Sequence, residues 1–287
     1  MSILVGIPAF NAESTIEEIV VKSSQYTDNI LVVNDGSTDK TSAIIKELGI
    51  NIVTHEKKKG YGTALQSIFN YAKETMNEKD ILVILDSDGQ HDPDDISKLC
   101  EPIQNGIADV STGTRFELSQ APKHRKIISK AFARIMKTNL EDSQCGFRAY
   151  SSKAVEMMNL HENGWGMSLE ILRETKRLGL PITEVPIKCD YNKNSHSTGA
   201  LQHGSSLVES LLWLVIFRRP LTILGIPALL LLVGSLVSAS FTLYLYVTLN
   251  YLVLSWALIT ISCLIVGMLL AFSAILFYVM SRRFPYE

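Results

Sequence analysis

Residues 81–93 read ILVILDSDGQHDP. Five apolar residues, Ile81 to Leu85, run straight into Asp86, Ser87, Asp88, Gly89, Gln90 and His91. A short continuous apolar run closed by turn residues is the pattern of a strand buried on both faces. Such strands belong to parallel sheets covered by helices, and in those sheets ligands collect beyond the carboxyl ends of the strands. The stretch therefore sets a fold class and delivers two carboxylates to a ligand-binding rim. Asp92 and Pro93 fit an N-cap and first helical residue opening the next helix. His91 is given no role.

The same pattern recurs on either side. ILVGIPAF (3–10), NILVVND (29–35), NIVTHE (51–56), ADVSTGT (108–114) and ITEVPIKC (182–189) read as strands. STIEEIVVKSSQY (14–26), TSAIIKELG (41–49), YGTALQSIFNYAKETM (61–76), PDDISKLCEPIQ (93–104) and MSLEILRETKRLG (167–179) read as helices. Alternation of this kind predicts an α/β domain, a mostly parallel Rossmann-like sheet with helices on both faces. EDSQCGFRAYS (141–151) is left without an assigned element.

Net charge is −2 over 287 residues, so no basic surface points to a nucleic-acid partner. Charge is unevenly spread, since Pro220 to Met280 contains no Asp, Glu, Lys, Arg or His. Two apolar segments within it, about 221–249 and 252–280, each exceed the ~20 residues that cross ~30 Å of hydrocarbon. Arg218 and Arg219 precede the first and Arg282 and Arg283 follow the second. Basic flanks predict a two-span hairpin with both ends, and the N-terminal domain, on the cytoplasmic side of the cell membrane. The opening residues lack the basic flank and length of a signal peptide. Expected domains are 1–200, an amphipathic juxtamembrane helix over 201–219, and the hairpin over 220–287. Cys100, Cys145, Cys189 and Cys263 have no metal-ligand spacing and are expected as free thiols.

The rim gathers specific chemistry. Asp-x-Asp alone is often a solvated turn. At the end of an apolar strand, with Gln90 offering a further oxygen, it suits Mg²⁺ or Mn²⁺, which would neutralise a diphosphate leaving group. NDGSTD (34–39) places Asp35 where it can accept from a nucleobase N–H, and Ser37 or Thr38 can cap the next helix. KKKGYGTAL (57–65) puts Gly60 and Gly62 before a helix, where backbone can approach a ligand closely. It is not a Walker A loop, and the first strand lacks the nicotinamide fingerprint. Arg115, Arg125 and Arg148 are candidates for bidentate phosphate contacts.

IPAFNAE, VVNDGSTD, KGYGTAL, LDSDGQHDP, TGTR and CGFRAYS occur in an order that resembles family 2 glycosyltransferases of the GT-A fold. With the hairpin, the chain is similar to the polyprenyl- and dolichyl-phosphate hexose synthases. That resemblance implies a nucleoside pocket from Pro8, Phe10 and Glu13, with Asp35 at the base. It implies Asp86 and Ser87 near ribose and diphosphate, and Asp88 and Gln90 as metal ligands. Arg115 and Arg125 would gather the donor diphosphate and the lipid phosphate. Asp142 and Arg148 fall in the acceptor-side motif, with Asp142 orienting Arg148 or a sugar hydroxyl in preference to acting as a base.

Two positions depart from the family pattern: Asn34 stands where Asp is common, and Ala12 where Glu is common. The implied reaction is inverting transfer of a hexose to a polyprenyl phosphate, with UDP-glucose or UDP-N-acetylglucosamine favoured as donor. The alternatives are a GDP-mannose-dependent dolichyl-phosphate mannose synthase and a membrane-tethered, non-catalytic sugar-nucleotide-binding scaffold. Oligomeric state, a homo-oligomer included, is left open.

Overall fold

The computed structural model describes residues 1–116, 118, 129, 138, 140–164, 166–190 and 220–283. They fall in two compact units, Met1–Leu207 and Val208–Glu287. The expected helix over 201–219 and Arg125 lie outside the described residues.

The first unit is built on a seven-stranded sheet in the order β3-β2-β1-β4-β6-β5-β7. The strands are β1 (Ile3–Ala9), β2 (Ile30–Asn34), β3 (Asn51–Thr54), β4 (Ile81–Ile84), β5 (Val110–Thr114), β6 (Arg148–Ser151) and β7 (Ile182–Pro186). All neighbours pair parallel except at β6, which is antiparallel to both β4 and β5. β6 is the strand missing from the sequence reading. It is four residues long and begins with a buried arginine, so it carries no apolar run to betray it.

Side chains alternate across the strands, so the sheet feeds two cores. Val5, Ile7, Val32, Ile81, Val83 and Leu85 face one side. They pack on α1 (Ile16–Ser23), α2 (Thr41–Glu47) and α4 (Ile96–Gln104) through Ile16, Ile19, Ile45, Ile96 and Leu99. Leu4, Leu31, Val33, Leu82 and Ile84 face the other side. They meet α3 (Tyr61–Thr75), α5 (Ser152–Met157) and α6 (Met167–Arg177) through Leu65, Ile68, Phe69, Val155 and Ile171. Burial on both faces is why the strands read as unbroken apolar runs.

Asp92 accepts from the Asp94 amide at 3.3 Å and Pro93 starts a 3₁₀ turn, Pro93–Asp95, that leads into α4. The cap expected from the opening stretch is present.

In the second unit a π turn, Leu221–Gly225, runs into α7 (Ile226–Leu249), and α8 spans Leu254–Arg283. Asn250 ends α7 with φ 55°, a left-handed C-cap that asparagine tolerates. The helices form a hairpin. Leu232 lies against Gly267, Phe241 meets Trp256 edge-on at 5.0 Å, and the Ser238 and Thr260 hydroxyls are 2.7 Å apart. Small and hydroxyl-bearing residues at the contact are typical of helices packed in lipid. Leu221–Leu249 and Leu254–Val279 are each long and apolar enough to cross a membrane. Few of their side chains are buried, unlike those of a helix in a soluble core.

Candidate active site

The aspartates begin just past β4. The β1–β4 ladder continues as far as Leu85, whose amide donates to the Gly6 carbonyl at 3.1 Å, so Asp86 is the first residue beyond the sheet. Its Oδ1 accepts from the Tyr61 hydroxyl at 3.1 Å, and His91 Nδ1 lies 3.9 Å from its Oδ2. Asp88 accepts from the Gln90 amide at 2.9 Å, and Thr15 donates to the Ser87 carbonyl at 2.6 Å. The loop thus folds back on itself and holds both carboxylates near one another.

The consequence is electrostatic. Burial, followed by the charge of Asp88, pushes the Asp86 carboxyl up to about 6, against the opposing pull of Tyr61, Arg115 and Arg148. A carboxylate pair under this repulsion suits a divalent cation. Among the described residues no three His, Cys, Asp or Glu side chains form a closed cage. A Mg²⁺-like ion needs only one or two carboxylates, with waters and phosphate oxygens completing its shell, so Asp88 and Gln90 beside Asp86 fit that requirement.

Gly146 explains how a second chain segment comes so close. A Cβ there would overlap the Asp86 carboxylate. The CGF turn enters β6 with Arg148 registered opposite Ile84 and Thr112, which brings a buried guanidinium toward the aspartates. Arg148 Nη2 donates to the Ser143 carbonyl at 3.0 Å.

Asp142 does not orient Arg148. It grips Arg115 in a fork, Nε to Oδ2 at 2.7 Å and Nη2 to Oδ1 at 2.9 Å, while the Arg115 amide also donates to Oδ2 at 3.2 Å. Asp142 is fully buried, and both its oxygens are engaged. That geometry suits a carboxylate that fixes a cation and leaves it poorly placed as a base. Glu184 on β7 in turn accepts from the Glu141 and Asp142 amides at 2.7 and 2.6 Å. Burial raises the Glu184 carboxyl despite these donors. Residues 141–142, β7 and Arg115 are therefore joined through one chain, Glu184 to Asp142 to Arg115.

At the far side of β1, Asp35 follows β2. Its Oδ1 takes His55 Nδ1 at 2.7 Å and the Lys59 amide at 2.9 Å, and its Oδ2 takes the Gly60 amide at 2.8 Å. Asn34, the departure from the family pattern, accepts from the Ser37 amide at 3.0 Å and closes the NDGS turn. Pro8 is buried in β1, and Phe10 follows with Lys58 Nζ 3.8 Å above its ring. Glu13 is exposed and accepts from the Lys40 amide at the start of α2, at 3.0 Å.

Gly60 and Gly62 lie where another segment of the chain comes close. The Gly62 amide donates to the Asn163 carbonyl at 3.1 Å, and a Cβ there would overlap Glu162 and sit 2.7 Å from the Asn163 carbonyl carbon. The glycines admit residues 162–163. Gln66 donates to the Glu162 carbonyl at 2.9 Å, and Glu170 accepts from the His161 and Glu162 amides.

One carboxylate pair, Asp86 and Asp88, two further carboxylates, Asp35 and Asp142, two buried arginines and a glycine-rich turn thus stand around the ends of β2, β4, β5 and β6. Residues 4–175 match the sequence profile of glycosyl transferase family 2. The chain belongs to that family. Proteins of several kinds resemble it. An uncharacterized protein of Methanocaldococcus jannaschii is 34% identical over 69% of this chain and 85% of its own length. A UDP-N-acetylglucosamine–dolichyl-phosphate N-acetylglucosaminyltransferase of Methanococcus voltae is 33% identical over 67% and 87%. A dolichol-phosphate mannosyltransferase of Pyrococcus furiosus is 29% identical over 65% and 56%. Among solved structures, glucosyl-3-phosphoglycerate synthase from Mycobacterium tuberculosis, crystallised with Mn²⁺ and UDP-glucose, has a TM-score of 0.61. It is 22% identical, over 76% of this chain and 78% of its own, and so shares the fold. This family 2 protein is a glycosyltransferase, with a GT-A-like mixed sheet and two C-terminal apolar helices.

The family motifs led to Asp35, Asp86, Asp88, Arg115, Asp142 and Arg148, but His55, Glu184 and Gly146 were missed. His55 ends a stretch that reads as strand, and Glu184 lies inside another. Only the pairing of strands shows that each faces a rim carboxylate or its backbone.

Proposed function

We propose that the protein transfers a single hexose from a nucleoside-diphosphate sugar to a polyprenyl phosphate, a dolichyl or undecaprenyl phosphate, at the cytoplasmic face of a membrane. The observation that carries this is the combination within one chain of a diphosphate-suited rim in a family 2 domain and a two-helix apolar hairpin. A water-soluble acceptor would not require the hairpin.

The acceptor phosphate oxygen is already anionic near neutral pH, so no strong general base is needed. This accords with Asp142, whose oxygens are both committed to Arg115. Arg115 and Arg148 supply fixed positive charge for two phosphate groups that would otherwise repel. Asp35, with Pro8 and Phe10, forms the nucleoside side of the pocket, and Asp86 lies toward ribose and diphosphate. Asp88 and Gln90 would hold Mg²⁺ or Mn²⁺, which supplies charge neutralisation to the departing diphosphate. Attack from the face opposite the diphosphate inverts the anomeric centre.

We favour a UDP-sugar, UDP-N-acetylglucosamine or UDP-glucose, on the likeness to the Methanococcus voltae enzyme. A GDP-mannose donor is the second reading, supported by the likeness to mannosyltransferases of Pyrococcus furiosus and Mycolicibacterium smegmatis. The test uses membranes containing the full chain, C55 or dolichyl phosphate, and labelled UDP- and GDP-sugars with Mg²⁺ or Mn²⁺. Label is expected in the lipid extract with one donor. Binding of nucleotide sugars without any transfer would favour a non-catalytic scaffold.

A further inference from the structure

One buried histidine has no part in that scheme. His55, 7% exposed, lies just past β3 between two side chains on different elements. Its Nδ1 meets Asp35 Oδ1 at 2.7 Å, and its Nε2 meets Ser67 Oγ of α3 at 3.0 Å. We propose that His55, backed by Ser67, is a positioning residue for donor recognition: it fixes the Asp35 carboxylate so that Oδ2 keeps one acceptor position for a nucleobase N–H. This rests on the assignment of Asp35 to the nucleoside pocket.

The case is one of counting donors. A carboxylate oxygen accepts about two hydrogen bonds. Oδ1 is filled by His55 and the Lys59 amide, whereas Oδ2 has the Gly60 amide alone among the described residues. The backbone fixes both partners. The Asp35 amide donates to the Ala9 carbonyl at 2.8 Å, and the His55 amide to the Asn34 carbonyl at 2.9 Å. The imidazole is thereby held at the side of Asp35 away from Gly60. Without the Nδ1 donor, Oδ1 keeps only the Lys59 amide and Oδ2 only the Gly60 amide, so the carboxylate is freer to turn and Oδ2 loses its fixed direction. Both uracil and guanine carry a ring N–H of the required kind.

The order Ser67–His55–Asp35 is that of a hydrolase triad, but the setting is not. Ser67 lies within α3, away from any strand-to-helix elbow, and its hydroxyl is 3.1 Å from the Thr63 carbonyl one turn earlier. The serine is a support for the ring.

The test uses the full chain in detergent or nanodiscs, with UDP and GDP as binding probes and steady-state transfer as the kinetic readout. His55→Leu removes the donor to a charged acceptor and is expected to raise the nucleoside-diphosphate Kd and the donor KM about tenfold or more. Its kcat and its KM for the lipid phosphate should stay within about twofold, because its partner Asp35 serves binding of the donor. His55→Asn places an amide N–H near the Nδ1 position and should recover most of the affinity. His55→Gln, whose amide reaches toward Ser67, should not. Ser67→Ala should show a smaller loss of the same kind.

Equal impairment by Asn, Gln and Leu, or a parallel fall in kcat and lipid-phosphate affinity, would reduce His55 to a packing role and overturn the inference. Unchanged nucleotide affinity in His55→Leu would do the same. If His55→Leu does not fold, the Asn–Gln contrast decides alone. Asp35→Asn separates the two levels. A loss there without a loss in His55→Leu overturns only this inference. No loss in either removes Asp35 from the nucleoside pocket altogether.

Discussion

Asp35 and Asp86 follow the two strands that flank β1, yet the protein treats them in opposite ways. Asp35 receives three donors, from His55 and the Lys59 and Gly60 amides, and is spent largely on organising a turn. Asp86 has the Tyr61 hydroxyl at 3.1 Å and a second carboxylate, Asp88, close enough to raise its pKa. One carboxylate is held mostly by the fold, with a single acceptor position left on Oδ2, and the other is held in a state that a cation or ligand can relieve. Asp142 belongs with Asp35, since it is buried and committed to Arg115. Carboxylates of the first kind should matter most for stability, those of the second for turnover.

The largest stability effect is expected at Asp142. Asp142→Ala removes the carboxylate fork that holds the buried Arg115 guanidinium and should cost about 3–5 kcal/mol in chemical denaturation. A loss below about 1 kcal/mol would place Asp142 with the functional carboxylates. Next comes Asp88→Ala, which should lower transfer by roughly 10²–10³, or about 3–4 kcal/mol of transition-state stabilisation. Its midpoint of denaturation should hardly move, because the side chain stands partly exposed at the rim. A large shift in the midpoint would break the contrast.

Gly146→Ala sharpens it further. The added methyl meets the Asp86 carboxylate, and displacement should cost about 1–3 kcal/mol of stability together with donor-dependent activity. Intact activity would mean that the position of Asp86 is not critical.

Smaller effects lie in the pH dependence, where Asp86 and Asp80, the residue just before β4, have opposite signs. Asp86 is raised to about 6, so its contribution to stability is present below its unfolded value near 3.8 and is lost as pH rises through about 6. Asp86→Asn should flatten that stretch of the stability curve. Asp80 is the reverse. Burial raises its pKa, but the Asn77 and Ser2 amides outweigh it and lower the value to about 2. Its contribution is present above about 3.8 and is lost as pH falls toward 2. Asp80→Asn should weaken the domain at neutral pH and lessen its acid sensitivity. Urea denaturation followed between pH 3 and 7.5 would read both.

Much of this was legible in the sequence. β1, β2, β4 and the helices between them announce themselves because burial on both sheet faces demands unbroken apolar runs, and turn residues close each one. The D-x-D pair is visible because two charges end such a run. β6 was hidden because an antiparallel insertion of four residues has no periodicity of its own, and its leading Arg148 looks like a loop residue. The partner of Asp142 was misjudged because Arg148 is nearer in sequence, whereas Arg115 becomes its neighbour only when β5 and β6 pair. The glycines of KKKGYGTAL proclaimed a close approach correctly, but sequence does not say to what, and the approach is by residues 162–163.

The most direct test of lipid-phosphate glycosylation is the chemical identity of the product. Purified full-length protein in nanodiscs, given its donor sugar, a divalent cation and a polyprenyl phosphate, should yield a lipid bearing one sugar through a single phosphate, by mass spectrometry. Formation should require Asp88. A diphosphate-linked lipid, or sugar found on a glycan or protein while the polyprenyl phosphate stays unmodified, would contradict the account.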